Sequence, residues 1–111
     1  MMKEKLQEIT NLMTELKKDA PDKIQNFFNF MKSVEKDGAL NAKNKELINI
    51  ALAVAAQCEW CIAFHTNNAL KLGATKDEII EAGMQAVLMH GGPALMYMTP
   101  LIKAIEEFSN E

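Results

Sequence analysis

The chain has 111 residues, of which 49% are apolar and 24% charged, and its net charge is −3. This is ordinary globular composition at the length of one compact domain, taken as residues 1–111. All 12 basic residues are lysine, so planar bidentate clamps on phosphates or guanine edges are missing, and neither nucleic acid nor an acidic membrane is an expected partner.

The amino terminus, Met-Met-Lys-Glu-Lys, has no apolar signal-peptide core, and the longest purely apolar run, Ile50 to Ala56, is far too short for a membrane span. A reducing, cytoplasmic home is the expectation. Met2, Leu6, Ile9, Met13 and Leu16 step by four and three, which predicts a first helix over about residues 2–18. Pro21 suits the first turn of a second helix, with the stripe Ile24, Phe27, Phe28, Met31 and Val34, and Asp37-Gly38 stops it. Asn41 is the expected N-cap of a third helix that runs to about Ala56 and is apolar nearly all round after Leu47. A fourth extends from about Cys58 to Leu72 and closes on Gly73 in a left-handed cap. Thr75-Lys-Asp-Glu78 is a capping box opening a fifth, to about Met89.

Gly91-Gly92-Pro93 then breaks the chain, and a last helix carries Leu95, Met98, Leu101, Ile102, Ile105 and Phe108. The pattern predicts an all-α domain of about six helices, without linker, repeat or alternating strand. Near-heptad seams at 2, 6, 9, 13, 16 and at 94, 98, 101, 105, 108 either pack within the domain or face another subunit.

Chemistry concentrates at Cys58-Glu-Trp-Cys61 and His65. Spaced i, i+3 and i+7, the three side chains fall within two turns on one helical stripe. Two thiols that close can form a disulfide, and an imidazole one turn beyond Cys61 can relay its proton. In a reducing compartment such a pair is catalytic or metal-binding rather than a structural staple. A helix N-terminus favours a thiolate at Cys58, whereas His65 serves Cys61 more directly; the spacing leaves open which sulfur is the nucleophile. If the chain turns back near Gln57, Glu46 reaches the imidazole, where a carboxylate orients the ring and stabilises its charged form.

Other readings compete. Cys58, Cys61, His65 and Glu46 are acceptable zinc ligands, but three on one helix splay poorly into a tetrahedron, and no metal is expected. An inert buried pair and a non-catalytic redox sensor are further alternatives. Trp60, Phe64 and His90 are candidates for lining the substrate pocket, although His90 also reads as a cation at a helix C-terminus. Met84, Met89, Met96 and Met98 read as core filling or as an adaptable apolar pocket. Ser33 and Ser109, the only serines, lie outside any elbow motif, and no phosphate-binding glycine loop is present.

Glu46, eleven intervening residues, Cys58-x-x-Cys61, three residues and His65 together resemble the active-site signature of the alkylhydroperoxidase D-like (AhpD-like) branch of the carboxymuconolactone decarboxylase family. The resemblance spans about residues 40–100, including Leu72-Gly73-Ala74 and Gly91-Gly92-Pro93-Ala94. It implies a small all-helical subunit in a homo-trimer or homo-hexamer, with the site near subunit contacts. It further implies a thiol peroxidase in which Cys61 attacks the hydroperoxide, Cys58 resolves the sulfenic acid as a disulfide, and His65 with Glu46 relays the proton. The only redox group implied is that disulfide, re-reduced by an external lipoyl- or thioredoxin-like dithiol; a disulfide is the other substrate class. One departure stands out. The prototype has a second relay histidine immediately before its second cysteine, where this chain has Trp60. Branches that decarboxylate a muconolactone resemble the chain less, since they generally lack the paired cysteines, and there is no arginine here to hold such an anion.

Overall fold

A computed structural model describes residues 1–109. Along them run α1 (Met2–Asp19), α2 (Pro21–Glu35), α3 (Ala42–Ala55), α4 (Glu59–Lys71), α5 (Lys76–His90), α6 (Gly92–Met96) and α7 (Met98–Ser109), with no strand among the described residues. The protein is all-α, and the six helices expected from the pattern are present. The last is cut in two at Tyr97. Pro100 has no N–H to donate to the Met96 carbonyl and its ring crowds that oxygen, so α6 ends and α7 restarts with Pro100 inside its first turn.

Local chemistry sets most of the other boundaries. Asn41 Oδ1 accepts from the Asn44 N–H at 2.8 Å and starts α3. Thr75 and Glu78 exchange side-chain and backbone hydrogen bonds in a capping box that starts α5. Gly73, at φ 91°, closes α4: its own N–H donates to Leu70 O and that of Ala74 to Ala69 O. The same double closure ends α3, but with Gln57 at φ 58°, the N–H groups of Gln57 and Cys58 donating to Val54 O and Ala53 O. A left-handed non-glycine residue costs roughly 1 kcal/mol, and no glycine advertises this turn in the sequence. It delivers Cys58 straight into the N-cap of α4.

The core is built from every helix except α2. Ile50, Val54, Ile62, Ile79 and Leu101 are fully buried at its centre, where α3 packs on α4 and α5, and α4 on α7. The seam at Ala94, Met98, Leu101, Ile105 and Phe108 lies wholly inside this core. That of α1 is half-buried apart from Met2, which is buried. Helix α2 buries no residue and leaves Phe27, Phe30 and Val34 exposed. Of the methionines expected to fill the core in the last third, only Met98 does so; Met84, Met89 and Met96 are exposed.

Where α5 meets α7, the side chains of Leu101 and Met98 fill the space over Gly83. A β-carbon there would lie 2.7 Å from Leu101 Cδ2 and 2.8 Å from Met98 Sδ. Gly83→Ala is therefore expected to lower stability by about 1–3 kcal/mol through overpacking, although an unhindered helix interior would gain up to ~1 kcal/mol from the same change. Urea unfolding measures it, and a raised midpoint would mean that α5 and α7 separate freely.

Candidate active site

Cys58 and Cys61 are joined as a disulfide across the first turn of α4, with Cα atoms 5.3 Å apart. Cys58 is the N-cap rather than a helical residue, and its Sγ accepts from the Cys61 N–H at 3.2 Å. Both sulfurs thus sit at the positive end of a helix, where unpaired N–H groups favour an anion. His65 follows one turn after Cys61 on the same helix.

Glu46 comes from the first half of α3, and the turn at Gln57 brings α4 back alongside it. Its carboxylate is 4% exposed. Oε1 accepts from His65 Nδ1 at 3.0 Å and from Asn49 Nδ2 at 2.7 Å, and Oε2 lies 3.3 Å from the same ring nitrogen. Burial alone would raise this carboxyl, but the hydrogen bonds of His65 and Asn49, the positive charge of His65 and the neighbouring Asn68 amide outweigh it, holding Glu46 below the ordinary 4.5. The glutamate is then ionised at neutral pH. Because Nδ1–H donates to it, the neutral imidazole carries its lone pair on Nε2 and is oriented as a base.

A second carboxylate completes the cluster. Glu35, the last residue of α2, places Oε1 3.4 Å from Asn49 Nδ2 and 4.0 Å from His65 Nδ1. Burial first, then the negative charge of Glu46, push its carboxyl above 4.5, with His65 countering in part. One ligand-type atom each of Glu35, Glu46 and His65 lies within 4.8 Å of the others, a spacing that a divalent cation can bridge. Here the inner carboxylate is instead engaged by Asn49 and His65, and the cysteines stand outside the cluster.

Two open clefts flank this cluster. One of about 310 Å³ is lined by Glu35, Ala42, Glu46, Asn68, Lys71 and Leu72, and one of about 270 Å³ by Val34, Glu35, Lys45, Ile48 and Asn49. Trp60, Phe64 and His90 line neither. Trp60 Nε1 donates to Glu8 Oε1 at 2.9 Å and its ring lies 4.5 Å from Lys5 Nζ, which fastens the start of α4 to α1. Phe64 meets the His65 ring edge-on, with centroids 5.1 Å apart. His90 is exposed in the last turn of α5.

The sequence profile of the carboxymuconolactone decarboxylase family matches residues 21–104. This chain belongs to that family. A carboxymuconolactone decarboxylase family protein from Legionella pneumophila, crystallised in its apo form, is 42% identical with a TM-score of 0.94 over 97% of this chain and 96% of that one. An uncharacterised protein of Cupriavidus necator is 38% identical over 86% of this chain and 85% of its own length. An uncharacterised protein of the cox locus of Paracoccus denitrificans is 37% identical over 73% of each. A Thermotoga maritima crystal structure, 24% identical with a TM-score of 0.89 over 97% of this chain and 95% of that one, shares the fold. The AhpD-like branch fits the Glu46, Cys58, Cys61 and His65 pattern of this family member.

Three residues around this family member's site were not singled out from the sequence. Asn49 and Asn68 each follow a site residue by three positions, Glu46 and His65 respectively, so amides sharing those helix faces were a usable signal. Glu35 had none: it reaches the cluster through the way α2 folds back on α3.

Glu46→Ala strands the Asn49 amide and the His65 Nδ1–H, and is expected to cost about 1–3 kcal/mol. The pH dependence has a defined sign. Glu46 is lower in the folded than in the unfolded chain, so its contribution is present above about 4.5 and is lost as pH falls through the lowered folded value. Glu35 is raised and acts oppositely: its contribution is present below about 4.5 and is lost as pH rises through the raised folded value. Chemical unfolding from about pH 3 to 7 should show a shallower acid loss in Glu46→Ala than in the unsubstituted protein; parallel curves would refute the assignment.

Proposed function

We propose that this family member is an AhpD-like thiol peroxidase that reduces hydroperoxides with Cys61 and Cys58, served by a His65–Glu46 proton relay. The observation that carries this reading is a dithiol pair at the head of the helix whose next turn presents His65, hydrogen-bonded at 3.0 Å to a buried carboxylate. An ionised Glu46 holds the imidazole as a base toward Cys61, as the third member of a nucleophile–base–carboxylate set does.

The cycle balances as follows. The Cys61 thiolate attacks the terminal peroxide oxygen; an S–O bond forms, the O–O bond breaks, and the alkoxide leaves as the alcohol after taking a proton. Cys58 then attacks the sulfenic sulfur, the S–S bond forms, and hydroxide leaves with a proton as water. The protein has lost two electrons, and the Cys58–Cys61 disulfide is compatible with that oxidised state. An external dithiol of the lipoyl or thioredoxin class returns both electrons and both protons by exchange through a mixed disulfide. A reducing cytoplasm suits such a cycle. Among the described residues no helix is long and apolar enough to cross a membrane.

A homo-trimer or homo-hexamer is the proposed assembly. What supports it is apolar surface that a monomer would leave in water: Phe30 is 66% exposed, Leu52 61%, Leu88 74% and Met89 77%. Light scattering is expected to give three or six times the monomer mass, and a monomer at micromolar concentration would overturn it.

Steady-state consumption of a small alkyl hydroperoxide with a dithiol donor tests the chemistry. Cys61→Ser should abolish turnover. Cys58→Ser should allow one oxidation, trapped as the sulfenic acid, without recycling. His65→Ala should slow oxidation of Cys61 by roughly 100-fold or more. Steady-state turnover surviving in both cysteine variants would sink the mechanism.

A further inference from the structure

We propose that Glu35 is a positioning residue of this relay: as its outer carboxylate, it links the buried His65–Glu46 pair to solvent and sets the pH range in which Cys61 reacts. The inference rests on the relay reading of the site and adds a residue that no motif or spacing brings forward.

Geometry carries it. The Glu46 side chain is 5% exposed while that of Glu35 is 29% exposed, so Glu35 is the wetter of two carboxylates facing the same ring nitrogen. Asn49 Nδ2 lies within 2.7 Å of one and 3.4 Å of the other, holding them side by side. Both clefts are lined by Glu35, and the larger also reaches Glu46, which gives the cluster an aqueous edge.

Charge counting then assigns a role. Two carboxylates share one imidazole and one neutral amide. When Cys61 passes its proton to the ring, both carboxylates face the positive charge that forms, Glu46 at 3.0 Å and Glu35 at 4.0 Å from Nδ1. Burial and the charge of Glu46 raise the proton affinity of Glu35, which makes it the outer acid of the pair. Without the Glu35 charge, the charged form of the ring keeps only Glu46 as its anionic neighbour.

Lysines of α3 and α4 also face Glu35. From α3 come Glu46 and Lys45, whose Nζ is occupied by the carbonyls of Val34 at 2.8 Å and Lys36 at 2.6 Å. From α4 come His65 and Lys71, the latter on the wall of the larger cleft. Lys36 follows Glu35 in the chain and lends its carbonyl to Lys45.

The test is the pH profile of Cys61 alkylation by iodoacetamide in the fully reduced, chelator-treated protein, read by mass spectrometry at that cysteine. Glu35→Gln keeps the side-chain shape and removes the titration. It should move the half-maximal rate to higher pH by up to about one unit, since the direct effect of a charge at 4–6 Å is weakened when it acts through the ring. Glu35→Asp should restore part of the shift, which a packing role would not do. A Glu35→Gln profile superimposed on that of the unsubstituted protein, or a uniform loss of rate with an unmoved midpoint, would overturn the proposal. Alkylation needs no peroxide. A protein that ignores hydroperoxide but shows the shift would therefore defeat the peroxidase reading while leaving the role of Glu35 intact.

Discussion

The hydrogen bond from His65 Nδ1 to Glu46, 3.0 Å long, ties α4 to α3 at a carboxylate that is almost wholly removed from water. Burying a carboxylate without partners is strongly unfavourable. Here His65 and Asn49 supply donors from two helices, and the carboxyl stays below its ordinary range despite burial. Satisfying that one group fixes how α3 and α4 lie against each other. A shift of either helix by a single residue would turn Glu46 away from the imidazole and leave a charge unpaired.

The same constraint positions the sulfurs. Once His65 is anchored, the helix places Cys61 one turn before it, and the left-handed turn at Gln57 puts Cys58 in the N-cap beside the free N–H groups. Two fields meet at this place: that of the helix terminus at both sulfurs, and that of the imidazole–carboxylate pair one turn beyond Cys61. Trp60, between the cysteines, is tied to Glu8 and Lys5 on α1 instead. That anchors the start of α4 to a third helix, while the imidazole–carboxylate pair stands on α3 and α4.

Helix α2 shows how a weakly anchored element contributes to a site. It buries none of its residues, yet its last residue reaches the buried cluster. Lys45 clasps the carbonyls on either side of Glu35 and Asn49 lies against the carboxylate, so polar contacts hold this end of α2 where apolar packing does not. An element held this way opens at lower cost than the core helices. The outer wall of the cluster is therefore also its most adjustable part.

Much of this was written locally in the chain. The helices followed from apolar periodicity, and Asn41, Thr75 with Glu78, and Gly73 marked boundaries because caps act within a few residues. Glu46, Cys58, Cys61 and His65 stood out as candidates from their spacing because Cys61 and His65 share α4, Cys58 caps it and Glu46 precedes a single turn. What sequence could not supply came from contacts between distant segments or from backbone states without a residue signature. Gln57 adopts a glycine-like conformation without being glycine. Pro100 did carry a signal, since a proline inside the last apolar pattern marks a break one turn earlier, where α6 ends. The outward-facing methionines and the arrival of Glu35 beside His65 were decided by which faces of α5, α6 and α2 found neighbours. Periodicity says that a helix has an apolar face, whereas burial depends on what the rest of the chain folds against it.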